Sequence, residues 1–113
     1  MARHRDFTPV LRIVGMPVLV WALHFLAIYG ATAIACARGW QQTAWLSIGA
    51  VPWWVAACTL VAVGVLAVHA RRTVAREART PAYAKALSRA LSALALLAIL
   101  WQALPATLVP ACA

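Results

Sequence analysis

Acidic side chains are almost missing from this chain. Asp6 and Glu77 are the whole complement among 113 residues. Neither lies within a long apolar stretch, so a proton-coupled transporter with an intramembrane carboxylate is not expected. Cysteines number three, and no Cys-x-x-Cys or His-x-x-x-His spacing occurs. That argues against a metal enzyme. No pairing of nucleophile and base suggests catalysis, so no catalytic residue, metal or cofactor is assigned. The chain also lacks internal repeats, a Gly/Ser-rich linker and a Pro-rich linker. With only short tails and loops outside the apolar runs, no second domain is expected.

What is present is apolar. Residues of that class make up 65% of the chain, and charged ones only 11%. Soluble domains carry about a quarter charged residues. Three runs stand out, Met16–Ala37, Trp45–Ala70 and Ala86–Val109. Each exceeds the about 20 residues needed to cross a hydrocarbon core about 30 Å thick. The expected fold class is an all-α membrane protein with three transmembrane helices, as one domain over residues 1–113.

Ten Lys/Arg against two acids give a net charge of +8. In a soluble protein such a balance would suggest nucleic acid. Here the basic residues flank the apolar runs, so anionic lipid headgroups are the expected partner and nucleic acid is not. Arg3, Arg5 and Arg12 precede the first run, and Arg71, Arg72, Arg76, Arg79, Lys85 and Arg89 separate the second from the third. Arg38 stands alone on the other side. Short basic loops remain in the cytoplasm. The expected topology is N-in/C-out and multi-pass in a bacterial inner membrane. Arg71, Arg72, Arg76, Lys85 and Arg89 would reach toward lipid phosphates. A rival reading takes the first run as a lipoprotein signal, since Ala33-Ile34-Ala35-Cys36 resembles a cleavage box. Its apolar stretch is longer than the about 7–15 residues of a signal core.

The spacing predicts helices over about 9–37, 44–79 and 81–104. Thr8 and Pro9 read as cap and first position of the first helix, and Gly39 as its left-handed end. Pro17 is a site for a bend. Trp40, Trp45, Trp53 and Trp54 mark the outer headgroup level. The second helix is expected to start at Ala44 and kink at Pro52. The alternative lays residues 41–50 along the surface and starts the crossing at Pro52. Thr80-Pro81 reads as cap and first position of the third helix, making helices two and three a tight hairpin. Pro105 is expected to end the third helix. Small residues at four-residue spacing (Ala27, Ala31 and Ala35; Ala82, Ala86 and Ala90; Ser88 and Ser92) could let backbones approach closely.

His24 lies eight residues into the first run. A polar group at such depth is a functional-site hypothesis by default. It could bind haem, relay protons, bond a quinone, or bond a neighbouring helix or partner subunit. Two axial ligands suit a six-coordinate haem, and no second deep histidine exists; His69 falls at the cytoplasmic boundary. Trp21, Phe25 and Tyr29 share helical spacing with His24, and such a stripe usually makes a helix–helix contact. Together these four form the expected partner-binding surface, with Tyr29 turned toward protein to satisfy its hydroxyl. Cys36 and Cys112 both fall at the outer boundary. They could join as a disulfide, stay free or bind metal. Cys58 reads as a packing residue.

Residues 17–40, carrying Pro17, Trp21, His24, Phe25, Tyr29, Cys36 and Arg38, resemble the first helix of small uncharacterised membrane proteins associated with bacterial haem-copper oxidase components. The resemblance implies a non-catalytic accessory subunit or assembly factor of a respiratory complex. A small homo-oligomeric transporter or channel is the alternative, as is a haem- or quinone-binding anchor using His24.

Overall fold

A computed structural model describes residues 2–75 and 81–112; at positions 2–7, 41 and 74 the backbone alone is described. Helix α1 covers Ala2–Ala37, α2 covers Ala50–Ala75 and α3 covers Ala82–Leu108. Each contains a stretch long and apolar enough to cross a membrane: Thr8–Ala37, Ala50–Thr73 and Ala82–Leu108. At 1.5 Å per residue these stretches measure about 45, 36 and 40 Å. The protein is a multi-pass, all-helical membrane protein, drawn out to 57 × 25 × 17 Å.

Contacts between the helices fix their sense. Ile13 meets His69 and Ser88, His24 meets Thr59 and Gln102, and Cys36 meets Cys112. Residue numbers rise along α1, fall along α2 and rise along α3, so successive helices are antiparallel. Two apolar clusters fill the interior. Val20, Ala62, Leu66, Ala95 and Ile99 form one. Ile28, Ala35, Val51 and Val55 form the other, toward the outer end expected from sequence, with Cys58, Ala103 and Ala106 against it. Alanines in both clusters let the backbones come close, which is how helices gain dispersion energy in lipid. On α3 the inward face is Ala84, Ser88, Ala95 and Ile99. The stripe Ala82, Ala86 and Ala90 faces outward instead. Large apolar side chains such as Leu26, Leu60, Leu97 and Trp101 also point outward. In water such a surface would aggregate; in a bilayer it meets acyl chains.

Several helix ends differ from the sequence expectation. α1 is already helical at Ala2, so Pro9 lies inside it and is not its first residue. A proline ring fixes a helical φ and deletes only one hydrogen bond. α2 does not start at Ala44. Residues 40–42 make a 3-10 turn, then Ala44–Trp45 (β1) pairs with Ile48–Gly49 (β2), in register Ala44 with Gly49 and Trp45 with Ile48. A helix continuing from Ala44 would drive the Pro52 ring into the carbonyl of Ile48. Starting at Ala50 puts Pro52 in the first turn, where no helical partner awaits its nitrogen. Leu46 and Ser47 turn the hairpin with φ of 53° and 65°, and Gly39 has φ 72°. Trp53 Nε1–H donates to Trp45 O at 3.2 Å, with the two rings 5.3 Å apart.

α3 passes through Pro105 and ends at Leu108. Val109 N–H donates to Pro105 O at 2.9 Å, and the Thr107 hydroxyl to Leu104 O at 2.7 Å. Losing the one bond to Trp101 O does not end a helix whose later bonds re-form. At the other end Pro81 occupies the N-cap position, with extended ψ of 145°. The expected continuation of α2 to Arg79, the Thr80 cap and the Arg76 side chain lie outside the described residues.

A three-helix polar clasp as the candidate functional site

Pro17 has no N–H, so Ile13 O loses its helical donor four residues on. Pro17 itself is fully buried. Both other helices supply the missing bond. His69 Nε2 of α2 lies 3.1 Å from Ile13 O, and the Ser88 hydroxyl of α3 donates to the same oxygen at 3.3 Å. An oxygen with two lone pairs accepts both. The proline expected to bend α1 thus opens an acceptor that ties three helices together.

His24 makes the second knot. It is 4% exposed. Nδ1 lies 3.3 Å from Gln102 Oε1 on α3, and Nε2 lies 3.2 Å from Thr59 Oγ1 on α2. The Thr59 hydroxyl also donates to Val55 O at 2.7 Å. Two neutral arrangements satisfy every atom. In one, Nδ1–H donates to Gln102 and the Thr59 hydroxyl turns to Nε2. In the other, Nε2–H donates to Thr59, whose hydroxyl continues to Val55, and the Gln102 amide turns its N–H to Nδ1. Either way both ring nitrogens are consumed inside the chain.

At the end of the bundle away from Arg71 and Arg72, Cys36 and Cys112 form a disulfide, with Cα atoms 5.7 Å apart and a sequence separation of 76. Cys58 is a free thiol packed against the outer apolar cluster. Trp54 Nε1–H donates to Ala27 O at 3.1 Å, adding an α2-to-α1 bond.

The expected partner-binding set separates into two groups. His24 turns inward. Trp21, Phe25 and Tyr29 turn outward, at 36, 40 and 52% exposure. Their rings stand 6.2 and 4.5 Å apart, in tilted contact. Tyr29 was expected to face protein. Its hydroxyl is on the outer surface and has no hydrogen-bond partner among the described residues. Arg71, Arg72 and Arg89 are exposed and Lys85 is half-buried. The Ile13, His69 and Ser88 contacts set all four at one end of the bundle, together with Arg12. At the opposite end the Arg38 guanidinium lies 5.3 Å from the Trp40 ring centre, a cation–π distance.

Sequence reasoning did not find Thr59, Gln102 and His69 as partners; Ser88, which it had placed on a small-residue stripe, does bond across to α1. The available signal was polarity: each second and third run carries hydroxyl or amide groups amid alanine and leucine. Among the described residues no group of three or more His, Cys, Asp or Glu side chains could hold a metal ion. Comparison with protein-family models, with characterised proteins and with solved structures gave no match.

Proposed function

We propose that this chain is a non-catalytic accessory subunit or assembly factor of a larger complex in a bacterial inner membrane, docking through the outward face of α1. One observation carries the reading. No buried side-chain nitrogen or oxygen among the described residues lacks a hydrogen-bond partner, whereas Trp21, Phe25 and Tyr29 form a contiguous aromatic surface that ends in an unbonded hydroxyl. Tyr29 sits about 10 Å from the middle of its span, where water is scarce. A hydroxyl there gains most from a polar group on an adjoining helix. A respiratory complex of the haem-copper oxidase kind is the partner class that residues 17–40 suggest.

The bundle lies N-in/C-out in this reading, with α2 and α3 as a hairpin whose connection is cytoplasmic. The basic end of the bundle supports it, because short loops rich in Arg and Lys stay inside. His24 favours neither haem nor quinone, since Thr59 and Gln102 engage both its nitrogens.

Affinity purification from native membranes tests the docking role. Wild type recovers integral membrane subunits, and the triple variant Trp21→Leu, Phe25→Leu, Tyr29→Leu loses them while keeping the Cys36–Cys112 bond. An unchanged set of partners, or a lone homo-oligomer from both proteins, overturns the reading. Tags at the two ends found in one compartment overturn the topology.

A further inference from the structure

The face between α1 and α2 carries a groove along most of its length. Its middle section, about 420 Å³, is walled by residues including Leu23, Trp54 and Val61. An inner section of about 390 Å³ shares Met16, Val61 and Val65 with it and ends on His69 and Arg72. Gly64 forms part of that inner wall, and a Cβ placed there would meet nothing within 4 Å. The inner section therefore has an apolar trough and a cationic rim. Arg12 and Arg71 stand at the same level, fixed by the bond between His69 and Ile13. No carboxylate lies among the described side chains at this end.

We propose that the inner groove binds one anionic phospholipid. One acyl chain lies along Val61, Gly64, Val65 and Val68, and the phosphodiester rests against Arg72 with His69 beside it. The dimensions agree. From Arg72 back to Val61 α2 rises about 17 Å, and one leaflet supplies about half of a 30 Å hydrocarbon core. Charge selects the headgroup. Lys and Arg near the surface attract anionic lipid, whereas a phosphocholine would bring its own cation to a cationic rim. The site is independent of the aromatic docking face, which lines none of this section.

Native mass spectrometry of the protein released from detergent, titrated with phosphatidylglycerol and with phosphatidylcholine of identical chains, tests the proposal. Phosphatidylglycerol is expected to bind at least tenfold more tightly, as a single saturable adduct. Arg72→Gln should remove most of that preference. Gly64→Phe should fill the trough and remove the adduct. Gly30→Phe, on the exposed side of α1 with nothing within 4 Å of its Cβ, should keep it. Intact disulfide and unchanged tryptophan emission show that each variant is folded. Equal binding of the two lipids, or a folded Gly64→Phe protein that binds as wild type does, overturns the site.

Discussion

Replacing His24 by leucine removes the hub of the central knot and leaves its volume nearly filled. The consequence can be worked bond by bond. Interhelical side-chain hydrogen bonds in membrane proteins average about 0.6 kcal/mol and reach about 1.7, and His24 makes two. Thr59 is not stranded, because its hydroxyl keeps Val55 O. Gln102 loses its one interhelical partner among the described residues; its amide is half-buried, so the cost reaches at most the about 1–3 kcal/mol of an unmet buried polar group. The total is about 2–4 kcal/mol, a substantial part of a folding free energy of about 5–15 kcal/mol.

That accounting also fixes the double variant. His24→Leu with Gln102→Leu removes both partners, so the stranded amide disappears. The double variant should recover about 1–2 kcal/mol relative to His24→Leu alone, a coupling beyond what independent sites show. Unfolding by SDS in mixed micelles, followed by emission of the six tryptophans, measures all corners of the cycle. Trp54 shares the groove wall with His24, which makes it a local reporter. A single variant within about 0.5 kcal/mol of wild type, or effects that simply add, would refute the claim that His24 joins three helices.

Four further outcomes are expected. Pro17→Ala returns an N–H to Ile13 O and competes with Ser88; Ser88→Ala should therefore cost about 0.6–1.7 kcal/mol in wild type and clearly less in the Pro17→Ala background, read by the same SDS titration. Reducing the disulfide should raise the count of alkylatable thiols from Cys58 alone to include Cys36 and Cys112. Chain entropy sets an upper bound of about 4.5 kcal/mol on the stability lost with it, and retained helices in the unfolded state make the loss smaller. Ser47→Gly, where φ is 65°, should stabilise the outer hairpin by about 1 kcal/mol and slow amide exchange there. Nitrogen NMR of the His24 ring should show both nitrogens hydrogen-bonded, and Gln102→Leu should shift the Nδ1 signal more than the Nε2 signal.

The spans were legible because one quantity, run length against bilayer thickness, decides them. Pro81 and Gly39 also acted locally, and each sits at a helix boundary. The outer hairpin was not legible. Leu46 and Ser47 take left-handed conformations that Asn-Gly would advertise, and Trp53 holds the turn from a distance in sequence. Nor was the Ile13 knot legible. Pro17 announces a bare carbonyl, but which donors reach it depends on the register of α2 and α3. That register follows from the packing of Ala62, Ala95 and Ile99, small and large residues that look alike in an apolar run. His24 announced a polar need, and Thr59 and Gln102 could answer it only after antiparallel packing brought residues 24, 59 and 102 to one depth.

Polar groups in hydrocarbon are expensive unless paired, and among the described residues every buried side-chain nitrogen and oxygen of this bundle has a hydrogen-bond partner. Ile13 O, His24, Thr59 and Gln102 hold the three helices together. Chemistry left unspent lies at the periphery: the Tyr29 hydroxyl beside two aromatic rings, and the arginines at the rim of the α1–α2 groove. Both proposed partners, a neighbouring helix and a phospholipid, are membrane components. A soluble ligand would have to shed its hydration to reach Tyr29, whereas a neighbouring helix arrives already dry. The same desolvation that makes His24 a structural clasp supports the proposed docking of another membrane helix on the outward face of α1.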